Sequence, residues 1–415
     1  MRRMATAALA AGTVVALGST AFAAASAAPL PDSSTAGLTQ PYIVVLEEGV
    51  ATSSVVDRHV DRFGLDVGHV YTSALRGYSA TMTSAVADLL EADPTVAYVQ
   101  RDLPVEATAQ STPTGINRSN ADASPTAKIN GADERVNVDV AVIDTGVDLT
   151  HPDINVYRAG AKNCSVGAIN ANDLHGHGTH VAGTIGALDN TAGVVGMAPG
   201  ARIWPVKVLT DAGTGLNSDV ICGIDYVTAH ADEIEVANMS LGGGGEDDGS
   251  CGSKDGDAMH AAICESVAAG VTYVVAAGND SADAAEFTPA AYDEVITVSA
   301  LADFNGLPGG GAPSTCRSDV DDTFASFSNY GADVDIIAPG VCIESTWMLG
   351  GYNTISGTSM ASPHVAGGAA LYKATHPSAS PAQVKSALQA AGSTGWNNAD
   401  DPDGIKEKLL DVSTY

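Results

Sequence analysis

The chain has 415 residues, with 19 Lys+Arg against 49 Asp+Glu, a formal net charge of −30, 45% hydrophobic residues and 16% charged ones. The apolar fraction excludes wholesale disorder. The acidity argues against a nucleic-acid partner, which needs clustered Lys/Arg, and against docking on an anionic membrane.

In chain order, residues 1–27 read as a signal peptide. Arg2 and Arg3 open it, a nearly uncharged run rich in Ala and Val follows, and Ala25-Ser26-Ala27 supplies the small-residue cleavage pattern. Pro29 and Pro31 then follow at once, and the run is Ala-, Gly- and Thr-rich, which disfavours a membrane anchor. A secreted, extracellular protein with no membrane partner is expected. Residues 28–106 form a small unit: strand Tyr42-Ile43-Val44-Val45-Leu46, a helix over 51–63 stopped by Gly64, and a loose strand over 70–82. A helix capped by Ser84 and ended by Pro94 comes next, then strand Val96-Ala97-Tyr98-Val99. With the middle strand folded into a hairpin, this is a ferredoxin-like α+β order. Residues 107–125 are polar and read as an exposed linker and mature N-terminal region.

From 126 to 415, short β-rich runs at 138–143, 202–208, 236–239, 271–276 and 295–298 alternate with helical patterns at 222–230, 258–269 and 362–375. That alternation predicts an α/β domain of three layers, a mainly parallel central sheet with helices on both faces. Six cysteines in an exported chain read as disulfides. Neighbour pairing gives Cys164–Cys222, Cys251–Cys264 and Cys316–Cys342, one of fifteen connectivities.

Three segments carry the chemistry. Val142-Ile143-Asp144-Thr145-Gly146 delivers Asp144 at the carboxyl end of a buried strand, the edge where ligands collect in open α/β sheets. His175-Gly176-His177-Gly178-Thr179-His180 opens an apolar helix; three close histidines raise a metal reading, but H-E-x-x-H is absent, and His180 reads equally well as a core residue. Gly357-Thr358-Ser359-Met360-Ala361 places Ser359 just ahead of a helix with Pro363 in its first turn, where free N–H groups can hold an oxyanion. Ala361 departs from the G-x-S-x-G elbow of α/β-hydrolases.

Taken together, Asp144, His177 and Ser359 stand in the order Asp, His, Ser, and the segments VIDTGVD, HGTHVAG and GTSMASPHVAG resemble those of subtilisin-like serine proteases, near the subtilisin and proteinase K branches. YIVVL, GYSA (77–80) and the segment 93–102 resemble the inhibitor-type propeptides of that family. The resemblance implies a serine endopeptidase made as a zymogen, with protein and peptide substrates and its own propeptide as intramolecular inhibitor. Ser359 would be the nucleophile, His177 the base, Asp144 its orienting partner and Asn279, in AAGND, the side-chain oxyanion donor. It also implies substrate rails at Ser240, Leu241 and Gly242 and at Gly213, Thr214 and Gly215, with Phe287 at a pocket base that takes apolar side chains. A structural Ca2+ would be held by carbonyls of Leu188, Ala192 and Val194, the Asn190 side chain and Asp153. A second site would use Asp335 with carbonyls near Asp293 and Val295. A monomer is expected. Two competing classes are a binding protein on the same fold with catalysis lost, and a non-proteolytic serine hydrolase with a closed acyl pocket.

Overall fold

Side chains alternate across a strand, and Tyr42, Val44 and Leu46 use that alternation to bury one face of Gln40–Leu46. They pack on Val55 and Val56 of helix Thr52–Phe63 and on Ala87 and Leu90 of helix Ser84–Glu91. The four strands lie in the order Asp66–Tyr71, Gly77–Met82, Gln40–Leu46, Val96–Arg101, all antiparallel, as the ferredoxin-like reading expects. Gly64 ends the first helix in the left-handed region (φ 66°), returning its N–H to Val60 O at 2.8 Å. The second helix differs from expectation by one residue: Thr83, not Ser84, is the cap, its side chain accepting from Val86 N.

The computed structural model describes residues 39–102 and 109–415. They divide into two units between Glu106 and Ala107. The expected signal peptide and residues 103–108, where the small unit meets the expected linker, lie outside the described residues. No helix among the described residues is long and apolar enough to cross a membrane.

In the second unit the central sheet runs in the order Thr323–Phe324, Ile296–Ala302, Thr272–Ala276, Val236–Met239, Asp139–Asp144, Arg202–Lys207, Lys162–Asn163, with Ile336–Pro339 also pairing with Ile296–Ala302. Every pair is parallel except the edge strand Thr323–Phe324. Strand Asp139–Asp144 shows why this is a three-layer fold. Val140 and Val142 enter one core with helices His177–Gly186 and Thr358–Thr375, while Ala141 and Ile143 enter another with Asn217–Thr228 and Ala258–Ala268. A strand buried on both faces reads as a continuous apolar run, which is what Val140–Ile143 is.

Two segments depart from expectation. Residues 114–123 are not an exposed linker: Thr114–Arg118 is a helical turn with Ile116 buried, and buried Arg118 donates to Asp322 Oδ1 (2.8 Å) and Gly395 O (2.7 Å). Its polar composition hid one apolar anchor and one buried guanidinium. Helix Pro381–Ala391, absent from the sequence reading, is closed by a Ser380/Gln383 capping box with Pro381 in its first turn. The three disulfides join Cys164–Cys222, Cys251–Cys264 and Cys316–Cys342, as neighbour pairing expects.

Near the C-terminus, Asp401 and Glu407 are buried, and their carboxylate oxygens have no hydrogen-bond partner among the described residues. Burial first, then the charges of Asp401 and Asp403, push Glu407 up from 4.5 to about 8. A folded-state value raised above the unfolded one means that the native chain holds a proton the unfolded chain releases. Glu407 therefore costs stability from its unfolded value upward, with the full cost present above about pH 8. Glu407→Gln is expected to melt above the parent at alkaline pH and level with it near pH 4. A gain independent of pH across that range would contradict the assignment.

Candidate active site

Asp144 is the last residue of its strand and is fully buried. Its Oδ1 accepts from His177 Nδ1 at 2.8 Å and from Thr145 N at 2.7 Å. His177 opens its helix, so strand end and helix start meet at the carboxyl edge of the sheet. Gly178 allows this approach, since a Cβ there would lie 2.1 Å from Gly146 O and 3.1 Å from Asp144 Cβ. Buried Asp173, which the sequence reading did not single out, organises the same turn. It accepts from Thr145 Oγ1, from the N–H groups of His175 and Gly176, and from Thr179 N and Oγ1. Burial pulls the His177 pKa down, but the charge and hydrogen bond of Asp144, with Asp173 behind, outweigh it. The pKa lies above the ordinary 6.5.

Ser359 is the second residue of helix Thr358–Thr375, which begins four residues before the expected start, so Pro363 sits inside the helix rather than in its first turn. Pro363 lacks an N–H, which frees the Ser359 carbonyl from its helical partner. Ser240 Oγ fills that gap, donating to Ser359 O at 2.8 Å. Asn238 Nδ2 donates to Ser240 Oγ (2.9 Å) and Ser362 Oγ to Asn238 Oδ1 (2.7 Å), so a buried polar chain ties strand Val236–Met239 to the Ser359 helix. Proline in an otherwise helical pattern was the signal that could have pointed to this network. Ser359 Oγ itself rests on Ser240 O at 3.3 Å.

Asn279 is exposed, and its Oδ1 accepts from Thr358 N (2.8 Å) and Thr358 Oγ1 (3.1 Å). With its oxygen so held, Nδ2 is the donor that the Asn279 amide keeps to offer. Thr358 is thus a positioning residue that motif reading alone passed over.

The residues expected to form the substrate rails line one cleft. His175 and His177 face it together with Gly213, Thr214, Gly215, Ser240, Leu241 and Gly242, enclosing about 490 Å³. An adjoining pocket of about 380 Å³ is lined by Ser359, Asn279, Phe287 and the backbone of 276–278. Phe287–Thr288 pairs antiparallel with Gly243–Gly244 along its wall. His180 does not join the other histidines. Its Nε2 bonds Ile343 O at 3.0 Å and burial pushes its pKa down to about 3, so it is a neutral core residue.

The expected cation loop converges. Gln110 Nε2 donates to Leu188 O (2.6 Å) and Val194 O (3.2 Å), while Asp153 accepts from Asn190 Nδ2 (2.7 Å), Val194 N (3.1 Å) and Tyr352 OH (3.2 Å). Ala192 joins through its N–H on Asn190 Oδ1 (2.7 Å). Gly193, at φ 67°, brings the backbone against Asp153, where a Cβ would meet Oδ2 at 2.4 Å. Carbonyls, a carboxylate and two carboxamides form an oxygen-rich set that suits a hard cation. Burial raises the Asp153 carboxyl above its ordinary value. Gln110 was missed by the sequence reading because it lies 78 residues from Leu188.

The second expected site is corrected. Lys385 Nζ lies 2.8 Å from Asp335 Oδ2 and donates to Asp293 O (3.2 Å) and Val295 O (2.9 Å), so an ammonium occupies the place expected of a metal ion. Helix Pro381–Ala391, which carries Lys385, was the element missing from the sequence reading.

Comparisons with known proteins give the family. Residues 136–404 match the subtilase family and residues 41–108 the peptidase inhibitor I9 family. The chain is 40% identical over 334 residues to the extracellular serine proteinase of Thermus sp. (strain Rt41A), covering 78% of this chain and 73% of that one. It is 39% identical over 314 residues to subtilisin E of Bacillus subtilis (strain 168), covering 75% and 74%. The crystal structure of a cold adapted subtilisin-like serine proteinase is similar at 34% identity and a TM-score of 0.52, covering 68% of this chain and 92% of that one.

Lys385→Ala is expected to cost about 1–3 kcal/mol, since it removes the ammonium facing the Asp335 carboxylate and leaves that carboxylate, held then by Thr297 N and Gln389 Nε2, against the carbonyls of Asp293 and Val295. The variant's melting temperature should gain more from calcium than the parent's does, because the vacated place then suits an ion. Equal calcium gains in parent and variant would contradict this.

Proposed function

The chain belongs to the subtilase family and is a serine-type endopeptidase, and from that premise we propose that Asp144, His177 and Ser359 are its catalytic triad and Asn279 its side-chain oxyanion donor. The observation that carries this is the Asp144–His177 hydrogen bond at 2.8 Å, in one cleft with the rails and next to the pocket that holds Ser359 and Asn279. In the resting site the Ser359 hydroxyl lies on Ser240 O, and a bound substrate would draw it toward His177 Nε2. Ser359 attacks the scissile carbonyl as His177 takes its proton. Asp144 fixes the tautomer and stabilises the imidazolium that forms. The tetrahedral oxyanion is met by Asn279 Nδ2 and the Ser359 N–H, and His177 then hands its proton to the leaving amine. Water repeats the sequence to release the acyl group.

Gly213–Gly215 and Ser240–Gly242 would hold an extended peptide by backbone pairing, with its side chain at the scissile bond directed into the pocket lined by Phe287. An open cleft between two backbone edges favours protein substrates over the small esters of a closed acyl pocket. The unit that matches the inhibitor I9 family supports an intramolecular inhibitor. We propose that residues 28–106 are removed to activate a secreted zymogen, with a signal peptide over 1–27.

Asp153, Asn190, Gln110 and the carbonyls of Leu188, Ala192 and Val194 would hold a structural calcium ion. When bound, it supplies positive charge to a buried carboxylate and pins a surface loop. It takes no part in acyl transfer.

Ser359→Ala should reduce peptide hydrolysis to background while the purified chain keeps its fold by circular dichroism. Substantial hydrolysis by the variant would remove Ser359 from the nucleophile role. Chelation should lower the melting temperature while leaving the initial rate at low temperature nearly intact, since a structural ion acts by linkage. Immediate and complete loss of rate would place the metal in the chemistry instead.

A further inference from the structure

Loop 245–257 follows the rail Ser240–Gly242 and leads into helix Ala258–Ala268, whose Met259 lines the cleft. The next residue, His260, is 1% exposed. Its Nε2 lies 2.8 Å from Glu294 Oε2, and its ring stacks on Tyr292 at 4.0 Å with planes 5° apart. Its other nitrogen, Nδ1, has no hydrogen-bond partner among the described residues. It points at two carboxylates, Asp247 Oδ1 at 3.5 Å and Asp248 Oδ1 at 3.8 Å. The three donor atoms lie within 4.8 Å of one another.

Those distances are too long for hydrogen bonds, which run about 2.7–3.2 Å. With Nε2–H given to Glu294, the neutral ring would aim its Nδ1 lone pair at two anions, an arrangement that repels. A cation between them removes the repulsion. Donors about 2.1 Å from a tetrahedral zinc ion stand about 3.4 Å apart, close to the two separations found here. A metal-bound imidazole that gives its second nitrogen to a carboxylate is also the arrangement that fixes ring orientation and raises ligand basicity, and Glu294 supplies that carboxylate. Cys251 and Cys264 lie close by but are joined in a disulfide, so their sulfurs are spent.

We propose that Asp247, Asp248 and His260 form a binding site for a zinc-type divalent ion, distinct from the Asp153 loop. The imidazole nitrogen selects a borderline metal over calcium, which takes oxygen donors. Asp248 is already shaped for the role, its oxygens held by the N–H groups of Ser250, Gly252 and Lys254. The bound ion would fasten loop 245–257 to the start of helix Ala258–Ala268. The Cys251–Cys264 disulfide fastens the same loop further along the helix.

The test uses the full chain carrying Ser359→Ala, to prevent self-digestion, stripped with chelator and titrated with zinc chloride by calorimetry and by thermal melting. The proposal expects saturable zinc binding that raises the melting temperature. His260→Gln and, separately, Asp247→Asn should weaken that binding by about 100-fold or more, whereas Asp153→Asn should leave it unchanged. Asp247→Asn guards against a folding failure of the buried His260 variant, because Asp247 otherwise only accepts from Gly249 N (2.7 Å) and Asp293 N (3.4 Å). Zinc binding of equal strength in both variants would locate the ligands elsewhere, for instance at His175 and His177, and overturn the proposal. Absence of zinc binding in the parent would overturn it as well.

Discussion

A fully buried carboxylate is the constraint around which the active site is arranged. Asp144 is taken out of water at the end of a strand covered on both faces, and a buried charge costs several kcal/mol unless it is hydrogen-bonded. Two donors, His177 Nδ1 and Thr145 N, share its Oδ1. The neighbouring strand brings Lys207 into register with Asp144, and the buried ammonium donates to Thr145 O and pairs with Asp211. Asp173 accepts from Gly176 N and from Thr179 N and Oγ1, while Thr145 Oγ1, itself bonded to Asp173, accepts from Gly178 N. The imidazole is thereby fixed before any substrate arrives, which is what the general-base role proposed for it needs.

The side of the proposed nucleophile is built by a different device. Pro363 interrupts the Ser359 helix at the one carbonyl that Ser240 can reach, so a break in helix bonding becomes a link to the rail. Ser240 therefore has two roles: its side chain anchors the Ser359 helix and its carbonyl holds the resting Ser359 hydroxyl. Thr358 performs the matching task for Asn279. The proposed catalytic groups, drawn from four separate segments, are thus held by polar contacts rather than by sequence proximity.

Much of this was legible in the sequence. The run Val140–Ile143 announced a strand buried on both faces, and Asp144 followed at its end. The polar partners were not legible, because Asp173, Asn238, Thr358 and Gln110 look like ordinary turn or surface residues until the fold brings their targets near. Residues 114–123 misled for the same reason, since composition cannot reveal that Arg118 is buried against Asp322. The Asp335 site shows a further limit. Its carboxylate and carbonyls are where a cation was expected, and the cation is supplied by Lys385 from a helix that weak amphipathic patterning concealed.

Cations recur as the answer to acidity in this chain. Lys385 neutralises Asp335, Arg118 lies between Asp303 and Asp322, and the Asp153 loop offers oxygens to a hard ion. Asp144 stands apart, because its partner is an imidazole, and the proposed mechanism makes that imidazole its counter-charge when His177 takes a proton. The most direct test is therefore Asp144→Asn, assayed for peptide hydrolysis across pH. The account predicts a fall in kcat of about 10⁴-fold with KM little changed, and an acid limb moved to lower pH as the group that raises the His177 pKa is removed. A loss of less than tenfold, with the acid limb unmoved, would contradict it.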